Sequence, residues 1–517
     1  MNDQRQDRIN KREKLRALGV DPYGSRFVDI VKNADIRRAA EPMTIDPGQT
    51  LDTPAARFRA AGRVMLYRDI GKLIFLTIRD WTGELQVGIS KATLGAIAAA
   101  PSPERDAASA AAPQAPGELQ WQTAKTLDLG DIIGVDGQLG RTKTGELTLW
   151  ATSLRLLSKC VQPPPEKWHG LTDTEARYRR RYVDLFANPE SRDVFIRRAR
   201  IIQHVRDTLH ARSFIEVDTP VLQPIYGGAA ARPFLTHHNT LDMKLFLRIS
   251  PELYLKRCMV GGLERVYEFS RCFRNEGISP RHNPEFTMLE LYQAYGDYND
   301  MMDITEAIVA GAAEKVIGSR KITFGGREID YSPPFARRRY ADLYREHVGI
   351  AITDIPAARE RARKLGFVEK DADDAIVVNT LFEHYCEDKL INPTFVLDYP
   401  APICPLTKRD PNDPNTALRF ELFVNGMELG NAYTELNDPD VQRATFSASL
   451  RGEGEETMAV MDEDFVEALE YAMPPAGGLG IGIDRLVMLL TGSSSIRDVL
   501  LFPLQRPEGA PARTSES

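Results

Sequence analysis

ERVYEFSRCFRNEGISPRHNPEFTMLELY, Glu264–Tyr292, decides how the rest of the chain is read. It reads as strand, loop, strand. Strand-forming apolar residues run through Val266, Tyr267 and Phe269, and again through Phe286, Met288 and Leu289. Between them Asn275–Asn283 holds Gly277 and Pro280 among the ionisable Glu276, Arg281 and His282, which marks a turn-rich loop carrying chemistry. Side chains alternate along a strand. Cys272, Arg274 and Glu276 therefore share one face of the first strand, and Phe286, Met288, Glu290 and Tyr292 one face of the second. An antiparallel pair would present Arg274, Phe286, Glu290 and Tyr292 to one concave surface. A guanidinium fork suits a phosphate, an aromatic face suits a purine with arginine over it, and a carboxylate suits a cation. A plain surface hairpin with a solvated loop fits the same residues.

Two further stretches sharpen the reading: FIEVDTP, Phe214–Pro220, and GLGIGIDR, Gly478–Arg485. With FRNE…HNPEFTMLE between them, they resemble motifs 1, 2 and 3 of the class II aminoacyl-tRNA synthetases, in that family's order. The resemblance runs from about Ala60 to Pro507 and is strongest to subclass IIb, within it to the enzymes for lysine. It implies an α+β multidomain protein: an OB-type β-barrel followed by the class II antiparallel sheet flanked by helices.

Bulk properties agree with such a chain. Its 517 residues, 43% hydrophobic and 27% charged, suffice for two or more domains. No apolar run approaches the roughly 20 residues of a membrane helix, and the polar N-terminus argues against a leader peptide. Five cysteines without CxxC spacing point to free thiols in a reducing compartment, hence a cytoplasmic protein. A net charge of −7 excludes a protein that coats nucleic acid non-specifically. RNA would be bound through local patches, for which the first forty residues, with ten Lys/Arg against six Asp/Glu, and Arg177–Arg212 are candidates. Solvated helix faces account for such runs equally well.

Taken in order, residues 1–59 read as a helical or extended segment whose first helix stops at Gly19 and Pro22. Residues 60–160 alternate in short glycine-punctuated strands (AGRVML, KLIFLTIRD, GELQVGI, DIIGVDGQLG, GELTLWATSLRLL), the pattern of a small Greek-key barrel. Ala92–Gly117, rich in Ala, Pro and Ser, interrupts them as a low-complexity insertion. Residues 161–180 form a linker stiffened by Gln162–Pro165 (QPPP). A catalytic domain at 181–510 follows, with a helical insertion around 340–392 and a disordered tail at 511–517. Its first helix, Ser191–Ala211, is amphipathic through Phe195, Ala199, Ile202, Val205 and Leu209, and feeds the strand at Phe214. Gly227–Pro233 is a small-residue loop suited to lie over a ligand. Ser250–Arg257 opens a helix with Glu252 in its first turn.

In GMELGNAYTEL, Glu428 and Glu435 are seven apart, so a straight strand would point them opposite ways. A bulge at Gly430 would bring them to one face. In GLGIGIDR the apolar Leu479, Ile481 and Ile483 face a core, and Gly478, Gly480 and Gly482 leave bare backbone on which a flat adenine can lie.

The resemblance implies ATP-dependent attachment of L-lysine to tRNA(Lys) through lysyl-adenylate, with Mg²⁺ as cofactor and a homodimer as the working unit. It implies Arg274 and Arg485 as catalytic, and Arg274, Glu276, His282, Asn283, Phe286, Glu428 and Arg485 as ATP-binding. Glu428 and Glu435 would hold the metal. Gly228, Glu252, Glu290, Tyr292, Asn431, Tyr433 and Glu435 would hold lysine, with Tyr433 where the family usually has Phe. Arg68, Phe75, Gln86 and Glu146 would read the anticodon, although KLIFLTI is apolar enough for Phe75 to be barrel core. The rivals are an aspartyl or asparaginyl enzyme of the same subclass and a catalytically inert RNA-binding scaffold. Glu435 and the Gly227–Pro233 loop (GGAAARP) argue against the first.

Overall fold

The computed structural model describes residues 2–94, 117–165, 171–229, 231–367, 372–452 and 461–508. Most of the Ala92–Gly117 insertion, part of the 161–180 linker and the 511–517 tail lie outside them. The chain divides into two units, Met1–Gly170 and Leu171–Ser517.

In the first unit five strands, β1 (Arg57–Asp69), β2 (Leu73–Arg79), β3 (Glu84–Ser90), β4 (Ile132–Arg141) and β5 (Leu147–Ser158), close into a barrel in the order β1-β2-β3-β5-β4. Alternation decides what fills it: Ile74, Leu76 and Ile78 point inward, fully buried with Val87 and Leu149. Helix α1 (Asn2–Ala17) brings Leu15 to this core, and α2 (Gly117–Thr126) brings Trp121 and Ala124.

The second unit is built on one large sheet. Among the described residues, eight of its nine strands are β6 (Ile215–Glu216), β7 (Arg265–Phe273), β8 (Glu285–Ala294), β9 (Ala336–Arg339), β10 (Thr394–Pro400), β11 (Asp413–Val424), β12 (Met427–Thr434) and β13 (Ala476–Gly482), the ninth being the short Arg409–Asp410 beside β11. They run β9-β10-β11-β12-β13-β8-β7-β6, antiparallel except for the parallel pairs at the two edges. The hairpin reading of Glu264–Tyr292 is realised as β7 and β8, with Cys272 opposite Phe286, Glu268 opposite Glu290 and Val266 opposite Tyr292.

Four helices position the site: α3 (Pro189–His210), α4 (Glu252–Val260), α5 (Tyr298–Ala312) and α6 (Ile483–Thr491). One sheet face, through Tyr267, Leu289, Leu429, Leu479 and Ile481, forms the main core with Ile201 and Val205 of α3, Met301 and Ile308 of α5, and Leu486 and Val487 of α6. Burying that face on three helices leaves the other face to carry polar groups. Residues 340–392 hold three helices, Tyr340–Val348, Ile355–Leu365 and Asp374–Tyr385, around a smaller core of Tyr340, Leu343, Leu381 and Phe382.

The bulge expected at Gly430 forms beside it. Leu422 pairs with Gly430 and the next residue, Phe423, with Glu428, so Leu429 is the extra residue. Glycine is required there because a Cβ on Gly430 would stand 2.5 Å from the Gly480 carbonyl oxygen. The bulge puts Glu428 on the same partly open face as Asn431 and Tyr433. Among the described residues no helix is long and apolar enough to cross a membrane.

Candidate active site

Cross-strand partners stand side by side, so the open face of the sheet is laid out in rows. Glu421, Asn431, Gly480 and Glu290 form one row across β11, β12, β13 and β8. Arg419, Tyr433, Gly478 and Tyr292 form the next. A cavity of about 400 Å³ opens over both rows, walled also by Gly228, Ser250, Glu252 and Arg274.

One end of the cavity is acidic. Glu290 is buried and accepts hydrogen bonds from Ser250 Oγ at 2.9 Å and Tyr292 OH at 3.3 Å. Burial, reinforced by the charge of Glu252, pushes its carboxyl up to about 8. Glu252 sits in the first turn of α4. One turn on, Lys256 Nζ donates to Glu252 Oε1 at 2.8 Å and pairs with Glu435 Oε2 at 2.6 Å. Burial opposes the Lys256 charge, but the two carboxylates more than offset it and raise its pKa. Gly228, at φ +84°, passes so close to this cluster that a Cβ would lie 3.0 Å from Ser250 Oγ and 3.1 Å from Glu252 Cβ. On β12, Asn431 and Tyr433 line the cavity, the Tyr433 ring 5.7 Å from the Arg419 guanidinium.

Beside Arg274, the one member of the group that lines the cavity, lies a basic and aromatic cluster. The Arg274 guanidinium, just past the end of β7, lies 5.1 Å from the Phe286 ring centre. Its buried Nε has no hydrogen-bond partner among the described residues, a donor left for a ligand. Arg485, in the first turn of α6, donates to the Glu428 carbonyl at 2.7 Å and meets its carboxylate at 3.3 Å. A second Arg485 nitrogen lies 3.2 Å from His282 Nε2, and Ser279 Oγ lies 2.8 Å from His282 Nδ1. Burial and the Arg485 charge lower the His282 pKa, so the neutral ring accepts from Arg485. Asn283 is buried and donates to the Glu285 carbonyl at 2.6 Å, and Glu276 stays on the exposed part of the loop.

Two expectations change. Glu435 does not join Glu428 as a carboxylate pair: it is fully buried and committed to Lys256. The carboxylate that acts on Glu428 is Glu421, which also accepts from Tyr399 OH at 2.9 Å and pairs with Arg419. Burial and the nearby Glu428 raise the Glu421 carboxyl, whereas Arg485 and Asn431 hold Glu428 low against its own burial. Among the described residues no group of three or more His, Cys, Asp or Glu forms a metal cage. Two carboxylates, Glu421 and Glu428, beside the Arg485 guanidinium suit Mg²⁺, which takes few protein oxygens and completes its shell with phosphate and water. The second change concerns the glycine strand. A Cβ on Gly478 would fall 1.9 Å from Glu435 Oε1 and 2.6 Å from Tyr292 Cε1, so those side chains cover it and only Gly480 and Gly482 leave open backbone.

Ser250, Lys256, Arg419 and Glu421 are functional neighbours that the sequence reading passed over. The four-residue spacing of Glu252 and Lys256 on one helix was the available signal for Lys256. Glu421 sits in FELF, which reads as a core strand.

In the barrel, Phe75 is an outward residue of β2, directly opposite Arg68 of β1. It is half-buried, edge-on to Trp150 with ring centres 5.8 Å apart, rather than part of the core. Gln86 on β3 donates to Thr148 Oγ1 at 2.8 Å, and Glu146 is exposed at the turn before β5. The fit between Phe75 and Trp150 depends on Gly88, where a Cβ would stand 2.6 Å from the Trp150 ring.

Two families match the chain. One described as tRNA synthetases class II (D, K and N) covers residues 173–506, and one described as OB-fold nucleic acid binding domain covers residues 58–157. The lysine–tRNA ligase of Carboxydothermus hydrogenoformans is 48% identical over 506 residues, spanning 97% of each chain. That of Bacillus subtilis (strain 168) is 46% identical over 512 residues, spanning 98% of each, and that of Magnetococcus marinus is equally similar at 46%.

Proposed function

The chain belongs to the class II aminoacyl-tRNA synthetases, among the lysine–tRNA ligases, and from that premise we infer how its residues divide the reaction. It attaches L-lysine to tRNA at the expense of ATP, first forming lysyl-adenylate and pyrophosphate, then passing the lysyl group to the terminal adenosine of the tRNA with release of AMP. The observation that carries the assignment of roles is the polarity of the cavity, with the Glu252 and Glu290 carboxylates on one part of its wall and the Arg274 guanidinium, beside Phe286, on another.

Glu290, Tyr292 and Glu435 receive the side-chain ammonium of lysine. Glu252 and the backbone at Gly228 receive its α-ammonium, with Asn431 and Tyr433 closing the wall. Adenine lies between Phe286 and the backbone at Gly480 and Gly482, and Glu276 on the exposed side of the loop meets the adenine amino group or the tRNA end. The lysine carboxylate attacks the α-phosphorus, and Arg274 stabilises the negative charge that develops there. Arg485, His282 and Asn283 hold the outer phosphates. Glu421 and Glu428 are the residues that would hold Mg²⁺, which when bound neutralises triphosphate charge. No side-chain nucleophile takes part, so catalysis is positioning and electrostatics. Arg68, Phe75, Gln86 and Glu146 read the anticodon, Phe75 by stacking.

A homodimer accounts for the apolar surface around motif 1, where Ile215 is 53% exposed on the edge strand β6 and Leu222 and Leu235 are 48% and 54% exposed. Cytoplasmic residence accords with five free cysteines. The experiment that tests the central assignment is ATP–pyrophosphate exchange run separately with each standard amino acid. Exchange with lysine alone supports it. Exchange with aspartate or asparagine overturns the pocket roles, and exchange with none overturns catalysis altogether.

A further inference from the structure

Behind the acidic end of the cavity lies a lysine that the chain supplies itself. Lys256 is fully buried, is not part of the cavity wall, and divides its ammonium between Glu252 and Glu435. The charged groups facing it come from every surrounding element. Glu252 shares its helix, Glu290 stands on β8, and Glu435 follows β12. Tyr292 and Tyr433, the other titratable groups here, are held neutral by burial and by these carboxylates. Of the two arginines on the cavity wall, Arg419 is engaged by Glu421 and Arg274 stands at the phosphate end.

Lys256 joins Glu252, which lines the cavity, to Glu435, which lies fully buried behind it. Without the internal cation, Glu252 and Glu435 would share a buried site with no counter-ion between them. A buried ion triad is also a poor way to gain stability, since apolar replacement of such groups is commonly neutral or stabilising. Resting on the reading of the cavity as the lysine pocket, we propose that Lys256 is a positioning and specificity-determining residue. It holds the Glu252 and Glu435 carboxylates in place, so that the two ammonium groups of lysine meet fixed acceptors.

The test is steady-state ATP–pyrophosphate exchange by full-length Lys256→Met, with lysine and ATP varied separately between pH 6.5 and 9. The expected result is a lysine KM raised about 30-fold or more at neutral pH, an ATP KM within about twofold of the parent, and a loss that shrinks as pH rises because the carboxylates then ionise unaided. Thermal unfolding should show a lower melting temperature, since removing one partner of a buried ion group leaves the others uncompensated, so the split between lysine KM and ATP KM is the deciding readout. A lysine KM within about twofold of the parent with an unchanged pH profile would overturn the proposal and leave Lys256 as inert core. Should the Met variant not fold, Lys256→Gln is read by the same two criteria. Lysine-independent exchange by the parent protein would instead remove the pocket reading on which the proposal stands.

Discussion

Gly478 shows how little room the lysine pocket leaves. Its Cα faces Glu435 and Tyr292 at distances no side chain can share. We expect Gly478→Ala to displace Glu435 and raise the lysine KM by about tenfold to 100-fold, since misplacement by about 1 Å costs that much at a reacting site. The ATP KM should hold, and exchange kinetics with each substrate varied will show it. Glu290 adds a pH signature. Its carboxyl is raised from 4.5 to about 8, so between those values the folded protein holds a proton that the unfolded chain has released. The lysine-free protein should lose stability as pH climbs through that window, with the loss complete above about 8. Lysine, which pairs with the ionised form, should raise the melting temperature more at pH 8.5 than at 6.5. Calorimetric scans with and without lysine across pH check this, and Glu290→Gln should flatten the slope.

At the scale of elements, the bulge in β12 is the decisive feature. One extra residue, Leu429, lets Glu428 face the cavity together with Asn431 and Tyr433. On a straight strand Glu428 and Asn431, three apart, would face opposite ways and Glu428 would point to the core, where an unpaired carboxylate is not tolerated. Gly430→Ala, whose Cβ would stand 2.5 Å from the Gly480 carbonyl oxygen, should force the bulged stretch out of place. The expected outcome is loss of Mg²⁺-dependent exchange, or of folding, visible together by activity and circular dichroism. The hairpin β7–β8, the barrel strands and the glycine strand were legible in the sequence because alternation and glycine punctuation are local signals. Even the bulge was legible, from an odd spacing next to a glycine. What was not legible depended on partners distant in sequence. Nothing near Glu435 announces that Lys256, from another element, will claim it. Nothing in FELF says that Glu421 will stand across from the cavity face of β12. Phe75 was ambiguous in KLIFLTI until the barrel closed and showed that Ile74, Leu76 and Ile78 fill it.

At the scale of the whole molecule, the two units carry separable tasks. Phe75→Ala should raise the KM for tRNA by roughly tenfold to 100-fold, because stacking on an aromatic side chain is worth about 1–3 kcal/mol per base. Lysine-dependent exchange, which needs no tRNA, should be unchanged in the same variant. Aminoacylation and exchange assays on one preparation separate the two effects.

The rows of the large sheet have a consequence for kinship. Arg419, Tyr433, Gly478 and Tyr292 occupy a single line across four strands, and that line does not contain Arg274, Phe286 or Arg485. The family to which the chain belongs spans enzymes for three amino acids. On the proposed roles, a scaffold that places its amino-acid contacts along two neighbouring rows and on α4, and its nucleotide contacts elsewhere, can be re-addressed by editing the first while the second stays intact. Divergence within such a family then needs no new fold and no new chemistry, only a different spelling of those rows.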